Sequence, residues 1–326
     1  MHKVKSMVQN MLKVITAGVF LLGCLITLRA EVFLVADYNL SARSAGLRNC
    51  DAAVSATAAS VYANPALISD VKDISGGTSL NRGFGGQNLT SLYGVYPLED
   101  YTVGGGLAYL GYGDFTSYRD QSLTDKTEFS AYDLLLTGSV SRKIHENLTA
   151  GANLKLYNSK IENYSSTAVG VDLTVAYKML DETMTLGGGL YNAGYQLDAY
   201  NETRENLPLS VKAGLANRFK KLPLELSVQY NYSIYGQSGY AAGLEFRPKP
   251  NLNLRAGYDF TADDKKIGTA SQKEKFAGLA MGGTVIFKYF SIDLAYQING
   301  ELEENWTFGI NSQLFEKTAE PVIKPE

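Results

Sequence analysis

Apolar and polar residues alternate with a period of two along most of the chain after about residue 75. Between residues 224 and 234, for example, Leu224, Leu226 and Val228 alternate with Glu225 and Ser227. A period of two places the two sets on opposite faces of a β-strand, whereas the same spacing would wind around a helix. The pattern predicts fourteen strands, over residues 75–82, 89–97, 101–112, 129–142, 148–160, 167–179, 183–194, 207–219, 222–235, 239–248, 251–261, 275–288, 290–299 and 304–315.

The lengths and connections of these strands indicate a membrane barrel. Most reach the roughly 9–11 residues that a tilted strand needs to cross a bilayer, whereas soluble strands commonly have about 5–6. Short turns alternate with long polar loops near 113–128, 195–206 and 262–274. A soluble β-sandwich is the alternative, but it leaves the strand lengths and the outward tyrosines unexplained. We therefore predict an all-β fold, a 14-stranded antiparallel transmembrane β-barrel whose apolar side chains face lipid.

The polar face of the strands then lines the lumen of the barrel. Because a buried charge is costly unless it is paired or hydrated, we expect these groups to pair across the interior or with a plug. A dedicated polar permeation path is the alternative. The polar and charged lumen set comprises Asp133, Asn153, Lys155, Asp172, Lys178, Lys212, Glu225, Gln229, Glu245, Arg247, Asn253, Arg255, Asp259 and Asp293.

Residues 1–30 have the layout of a secretory signal peptide. Basic residues precede an apolar stretch over 14–28, which ends near Ala30. Cleavage after Ala30 removes four basic residues and no acidic ones, so the formal net charge changes from -3 to -3 - 4 = -7. An acidic exported chain is a poor nucleic-acid binder. In an alternative interpretation, Leu21-Leu22-Gly23-Cys24 is a lipoprotein cleavage box and Cys24 is lipidated rather than removed.

The composition limits both the class of membrane protein and the kinds of site that the chain can form. The mean hydropathy is -0.11, and no run of 18 apolar residues follows the signal, so a bundle of membrane helices is excluded. His145, in a predicted turn, is the one histidine left after cleavage, and barrel hydrolases usually need a histidine base. We therefore predict that the protein is not an enzyme. Cys50 and His145 stand alone in the mature sequence, so neither a metal site, a cofactor nor an internal disulfide is expected.

Residues 31–73 do not follow the strand pattern. They are rich in alanine and serine, and small residues favour close packing inside the barrel. A short helix is predicted over 52–62, ending before Asn64 because Pro65 disfavours helical geometry in the residue that precedes it. The glycine triplets at 104–106 and 187–189 lie within strands and are expected to permit curvature or close approach by an internal segment.

The same region resembles the start of the FadL-like outer-membrane proteins. The resemblance rests on Ser41-Ala42-Arg43-Ser44-Ala45-Gly46-Leu47, on the alanine-rich run, and on Asn64-Pro65-Ala66. It is strongest for the branch that contains PorV-type proteins and spirochaetal FadL-like barrels. Two departures are Ala56-Thr57-Ala58 in place of an acidic pair, and Asn49-Cys50 near the position of a glycine pair.

The resemblance implies a 14-stranded barrel with an N-terminal hatch inside the lumen. The domain prediction is thus a signal peptide (1–30), a hatch (31–73), the barrel (74–315) and a polar tail (316–326). The resemblance also implies a bacterial outer-membrane location and passive uptake of long-chain fatty acids or other hydrophobic molecules. In such transporters, hatch movement connects the binding pocket to a side exit. The predicted ligand-binding and hatch residues are Gly46, Asn64, Pro65, Ala66, Arg247 and Arg255.

Arg247 and Arg255 are candidates to meet a ligand carboxylate, with ion pairing to Glu245 or Asp259 as the alternative. Two other functions stay open at this point. A PorV-like docking or shuttle component of a secretion system predicts a stable protein partner, and an open diffusion porin predicts permeability to sugars.

Overall fold

A computed structural model describes residues 33–118, 126–201, 204–235, 238–261, 272–300 and 302–315. The predicted signal peptide and the predicted C-terminal tail lie outside the described residues. Within those residues, no helix has the length and apolar character required to span a membrane.

Fourteen antiparallel strands form one closed barrel in chain order, and β1 pairs with β14 to complete it. The predicted fold class is therefore confirmed. The strands are β1 (Ile74–Arg82), β2 (Asn88–Pro97), β3 (Thr102–Tyr118), β4 (Lys126–His145), β5 (Leu148–Ile161), β6 (Tyr164–Met179), β7 (Met184–Asp198), β8 (Ser210–Arg218), β9 (Leu224–Ser233), β10 (Gly239–Lys249), β11 (Leu252–Asp259), β12 (Leu279–Ile286), β13 (Phe290–Asn299) and β14 (Leu302–Phe315).

The two rims of the barrel differ in their connections. Short turns join β2 to β3, β4 to β5, and each later even-numbered strand to the next, at the rim that also holds Ile74 and Phe315. We call this the short-turn end, and the opposite rim the long-loop end. In the loop predicted over 113–128, the described residues 113–118 and 126–128 are strand, because β3 and β4 continue their pairing to Tyr118 and Lys126; residues 119–125 lie outside the described residues.

Side chains alternate between lipid-facing and lumen-facing positions, as the period of two predicts. Leu154 and Leu173 point outward and are each 57% exposed, an arrangement that suits hydrocarbon rather than water. Their neighbours Asn153 and Asp172 point inward and are buried. Aromatic side chains are likewise exposed on the outside, among them Tyr101, Tyr109, Tyr177, Phe287 and Phe290.

Residues 33–73 lie inside the lumen and form the hatch. Their regular elements are short: α1 (Ala42–Gly46), α2 (Ser60–Ala63), and 3-10 turns at Leu34–Ala36 and Pro65–Asp70. Outside the hatch, a further 3-10 turn covers Phe84–Gly86, and α3 (Gln272–Lys275) precedes β12. The Ser41 hydroxyl accepts a hydrogen bond from the Ser44 N–H at 3.1 Å and so caps α1.

The helix predicted over 52–62 is wrong for most of its length. Only Ser60–Ala63 is helical, although the helix does end before Asn64, which is extended (φ -156°, ψ 101°). The Ala52 N–H donates to the Gln229 side-chain oxygen on β9 at 2.8 Å, and it therefore has no need of a helical carbonyl. Polar groups of the wall replace the helical hydrogen bonds that the alanine-rich composition suggested.

Candidate functional site

The Asn64 side chain connects the hatch to the barrel wall. Its side chain is fully buried, and its Oδ1 accepts from the Ala66 N–H at 3.0 Å. Its Nδ2 donates to the Ala52 carbonyl at 2.7 Å and to the Val175 carbonyl on β6 at 3.3 Å. One amide thus closes a turn and joins two parts of the hatch to the wall, since it satisfies groups that would otherwise be buried without partners.

Pro65 and Ala66 pack directly on the barrel wall. Pro65 begins the 3-10 turn that Asn64 caps, a position where the missing N–H costs nothing. The Ala66 N–H also donates to the Thr174 hydroxyl at 3.1 Å. A Cβ on Gly151 of β5 would lie 2.2 Å from the Ala66 nitrogen, so only glycine allows this approach.

Gly46 forms a second close contact, on the opposite side of the lumen. It ends α1, and a Cβ added to it would lie 3.5 Å from Gly282 Cα on β12 and 3.7 Å from Arg255 Cβ. The predicted close approach by an internal segment is found at both triplets. A Cβ on Gly187 would lie 2.1 Å from the Ala52 carbonyl oxygen, and one on Gly104 2.8 Å from Val61.

Arg247 and Arg255 belong to a network of charged groups that also holds the hatch. Glu245 on β10 accepts from Arg247 Nη2 at 2.6 Å and from Arg255 Nε at 2.8 Å. Arg43 of the hatch donates to the same carboxylate at 3.0 Å. Three further contacts belong to the network: Arg247 with Glu225 (2.8 Å), Arg255 with Asp293 (3.0 Å), and Ser55 N–H with Glu225 (2.8 Å).

We call Arg43, Glu225, Glu245, Arg247, Arg255 and Asp293 the charge cluster. It contains three guanidinium groups and three carboxylates, so its formal charge is balanced without a ligand. Arg255 pairs with Glu245, one of the two carboxylates named for ion pairing, and with Asp293; neither arginine has an ion pair with Asp259 among the described residues. The structure therefore favours ion pairing over capture of a ligand carboxylate by Arg247 and Arg255, which lie near the short-turn end.

Two cavities border the hatch. One of about 500 Å³ lies toward the short-turn end and is lined by the charge cluster, except Glu225, together with Phe287, Tyr289 and Phe290. The other, of about 280 Å³, lies toward the long-loop end. Its charged lining consists of Asp37, Arg48, Asp51, Lys155, Lys212 and Asp259. We call the second one the upper cavity.

An apolar cluster adjoins the upper cavity. Leu40 and Leu135 belong to both, and Tyr157 and Leu207 extend the cluster into the lumen. Hatch residues Phe33 and Val35 fill its centre, where both are almost completely buried. The period-two pattern gave no sign of this cluster because Tyr157 occupies a position in the polar set.

The strand pairing between β7 and β8 is interrupted in the half of the wall toward the long-loop end. β7 pairs with β6 as far as Asp198, but with β8 only as far as Tyr191. A β-bulge lies at Asn192, which has a φ of 57°. Above it, the Asn192 side chain donates to the Pro208 carbonyl at 3.1 Å, and Leu207 turns into the lumen. Side chains rather than a strand ladder therefore close this part of the wall.

The bulge also brings four buried polar side chains into contact in the lumen. Asp172 accepts from Lys155 Nζ and from the Asn192 N–H, both at 2.8 Å. Lys155 and the Tyr157 hydroxyl each donate to Asn192 Oδ1, at 2.7 and 2.8 Å. Lys155 is thereby neutralised and held in place beneath the upper cavity.

Solved structures of similar barrels are known, although no family model and no curated protein matches the sequence. The chain resembles CymD, a monoaromatic hydrocarbon channel (13% identity, TM-score 0.61, 88% of this chain and 100% of that chain). It also resembles the Pseudomonas putida toluene transporter TodX (15%, 0.60, 85% and 98%). A Pseudomonas aeruginosa FadL homologue matches as well (13%, 0.57, 84% and 98%). At these identities the likeness shows a FadL-like fold.

Proposed function

We propose that this protein is a FadL-like outer-membrane barrel for the passive passage of hydrophobic small molecules, long-chain fatty acids among them. The observation that carries the proposal is the apolar cluster inside a plugged lumen. Ions and sugars are not stabilised by such a cluster. An apolar solute is stabilised by about 25 cal/mol of transfer free energy for each Å² of apolar surface that it buries there. The solved neighbours named for hydrocarbon and toluene transport support the same conclusion.

The structure suggests a route for the solute. It enters at the long-loop end, replaces Phe33 and Val35 in the apolar cluster, and moves toward the interrupted wall between β7 and β8. Leu207 belongs to the cluster and closes the interruption, so a solute in the cluster lies beside the weakest part of the wall. Passage needs no covalent chemistry, only a hatch segment that can leave its place.

Uptake and binding measured together test the proposal. Protein extracted gently from its own membrane is expected to carry a hydrophobic molecule identifiable by mass spectrometry. Expression in a strain deficient in fatty-acid uptake is expected to restore oleate import. Absence of bound lipid together with absence of import would contradict the proposal, and a stable protein partner in crosslinking pull-downs would favour the docking role instead.

A further inference from the structure

Three neighbouring turns at the short-turn end share one sequence pattern. They join β8 to β9, β10 to β11 and β12 to β13, over residues 219–223, 248–251 and 287–289. Their sequences are Phe-Lys-Lys-Leu-Pro, Pro-Lys-Pro-Asn and Phe-Lys-Tyr. Each turn thus places lysine between aromatic, aliphatic or proline residues, and none of the three contains an acidic residue. We call these three turns the basic sector.

The basic sector is one continuous part of the rim. The Arg247 N–H donates to the Pro223 carbonyl at 2.7 Å, which joins the first turn to the second. The Ile286 N–H donates to the Asn251 carbonyl at 2.9 Å, which joins the second turn to the third. Because adjacent strands lie about 4.8 Å apart, the rim from β8 to β13 is about 24 Å long.

Most of the positive charge of the basic sector is not balanced by a neighbouring acid. Lys221, Lys249 and Lys288 are exposed, and among the described residues none of them has a carboxylate within 4.0 Å. The fourth lysine, Lys220, pairs with Asp181 of a neighbouring turn at 2.9 Å. Three ammonium groups are therefore available to an anion at this rim.

The other turns at the short-turn end do not share this excess of positive charge. Acidic pairs occupy the turn between β2 and β3 (Glu99-Asp100) and the turn between β6 and β7 (Asp181-Glu182). Both signs of charge occur around the turn between β4 and β5. The basic sector is thus a local feature of one side of the barrel, not a property of the whole rim.

The apolar residues beside these lysines continue the lipid-facing surface of the wall. Phe287 and Phe290 stack at 4.7 Å, centroid to centroid, and both are exposed on the outside. Farther from the rim on the same outer face, Val285 and Leu254 are 44% and 45% exposed. Toward the rim, the outer face therefore presents aliphatic side chains, then aromatic ones, then lysine. A lipid leaflet has the same order, from hydrocarbon through the interface to the headgroups.

We propose that the basic sector binds anionic phospholipid in the leaflet at the short-turn end, which in an outer-membrane barrel is the periplasmic leaflet. The acyl chains lie against the outer face of β11 to β13, and the headgroup phosphate pairs with Lys221, Lys249 or Lys288. A zwitterionic phospholipid carries its own cation beside the phosphate, so a lipid of net negative charge is favoured. The lysine-flanking apolar residues favour a lipid over an acidic protein segment, because they continue a surface that already contacts hydrocarbon. The inference does not depend on which solute passes through the lumen.

Recovery of two phospholipids with the same acyl chains tests the proposal. Purified full-length protein is equilibrated in detergent with equimolar dioleoyl phosphatidylglycerol and dioleoyl phosphatidylcholine, and the lipid that co-purifies is quantified by mass spectrometry. Wild-type protein is expected to retain about tenfold more phosphatidylglycerol than phosphatidylcholine. The triple variant Lys221→Gln, Lys249→Gln, Lys288→Gln is expected to reduce that ratio to within about twofold, since one lysine beside an anionic headgroup contributes about fivefold.

A matched triple variant distinguishes the basic sector from net charge alone. Lys126→Gln, Lys143→Gln and Lys160→Gln together remove the same three charges from exposed positions outside the sector. This variant is expected to keep the wild-type ratio, and heat-modifiable migration in gels checks that both triple variants are folded barrels. Equal recovery of the two lipids by wild-type protein, or an equal loss of preference in both variants, would overturn the proposal.

Excess glycerol 3-phosphate separates a lipid site from a site for soluble phosphate. It is expected to leave phosphatidylglycerol bound to wild-type protein, because the acyl chains bury apolar surface that the soluble probe lacks. Displacement of the lipid by glycerol 3-phosphate would assign the lysines to a soluble anion and overturn the lipid site. Passage of hydrophobic solutes through the lumen would stand in either case, because it is measured separately by oleate import.

Discussion

Gly151 marks the closest approach between the barrel wall and the hatch. A Cβ there would lie 2.2 Å from the Ala66 nitrogen and 2.5 Å from the Pro65 carbonyl carbon. Both are backbone atoms, so a methyl group forces the Asn64-Pro65-Ala66 turn off the wall and breaks the bond from Ala66 to Thr174. We expect Gly151→Ala to fold as a barrel with a loosened hatch.

The rate at which maleimide labels Cys50 measures that loosening. It lies buried in the hatch, and burial raises the pKa of its thiol to about 12, so maleimide labels it slowly at neutral pH. Gly151→Ala is expected to speed labelling at least tenfold. Gly138→Ala is the control, because a Cβ at that position of β4 meets nothing within 4 Å. Equal labelling rates in the two variants would show that the contact does not hold the hatch.

The sequence identified some of these residues but not their partners. The motif made Asn64, Pro65 and Ala66 recognisable. Asn64 is fully buried, as expected of a residue that connects the hatch to the wall. Thr174 and Gly151 were not predicted to meet them, because contacts separated by 85 to 108 positions depend on the barrel register. The same reason explains why Arg255 pairs with Asp293 on β13 rather than with the nearer Asp259.

At the scale of elements, strands were predictable and the hatch was not. Each strand carries its own evidence, since lipid on one side and lumen on the other impose a period of two. All fourteen predicted strands are present, with ends displaced by a few residues. The hatch has no such periodic environment. Its backbone conformation depends on which lumen groups accept hydrogen bonds from its N–H groups. That is why an alanine-rich stretch with good helix propensity forms a helix only over Ser60–Ala63.

The charge cluster is expected to hold the hatch through Glu245, which contacts Arg43, Arg247 and Arg255 together. Glu245→Gln removes one carboxylate charge and leaves three guanidinium groups, two of them buried, with two carboxylates. Losing one member of a buried ionic network costs on the order of 3 kcal/mol. Cys50 labelling is therefore expected to accelerate about a hundredfold. Glu146→Gln, in an exposed turn, should leave the rate unchanged, and an unchanged rate in Glu245→Gln would exclude the cluster as a latch.

A disulfide tests whether the hatch has to move. Cys50 Sγ lies 3.3 Å from the Ser227 hydroxyl on β9, so Ser227→Cys places a second sulfur beside it. Oxidation is expected to tie the hatch to the wall and to stop oleate import, and reduction should restore it. Wild-type protein under the same oxidant is the control, since Cys50 then has no partner thiol after signal removal. Import by the oxidised variant at the wild-type rate would mean that this part of the hatch stays fixed during passage.

At the scale of the whole molecule, we expect the hatch to determine whether the barrel is a selective or an open pore. The barrel closes through its own strand pairing, β1 to β14, so it does not need the hatch for its ladder. Without residues 31–73, the polar and charged side chains of the lumen face water. We therefore expect liposomes with the full-length mature chain to exclude sugars, and liposomes with the hatch-deleted chain to swell in arabinose. Deleting residues 316–326 instead serves as the control and should not open the pore. Sugar-driven swelling with the hatch present would identify an open diffusion porin, and the apolar cluster would then need another explanation.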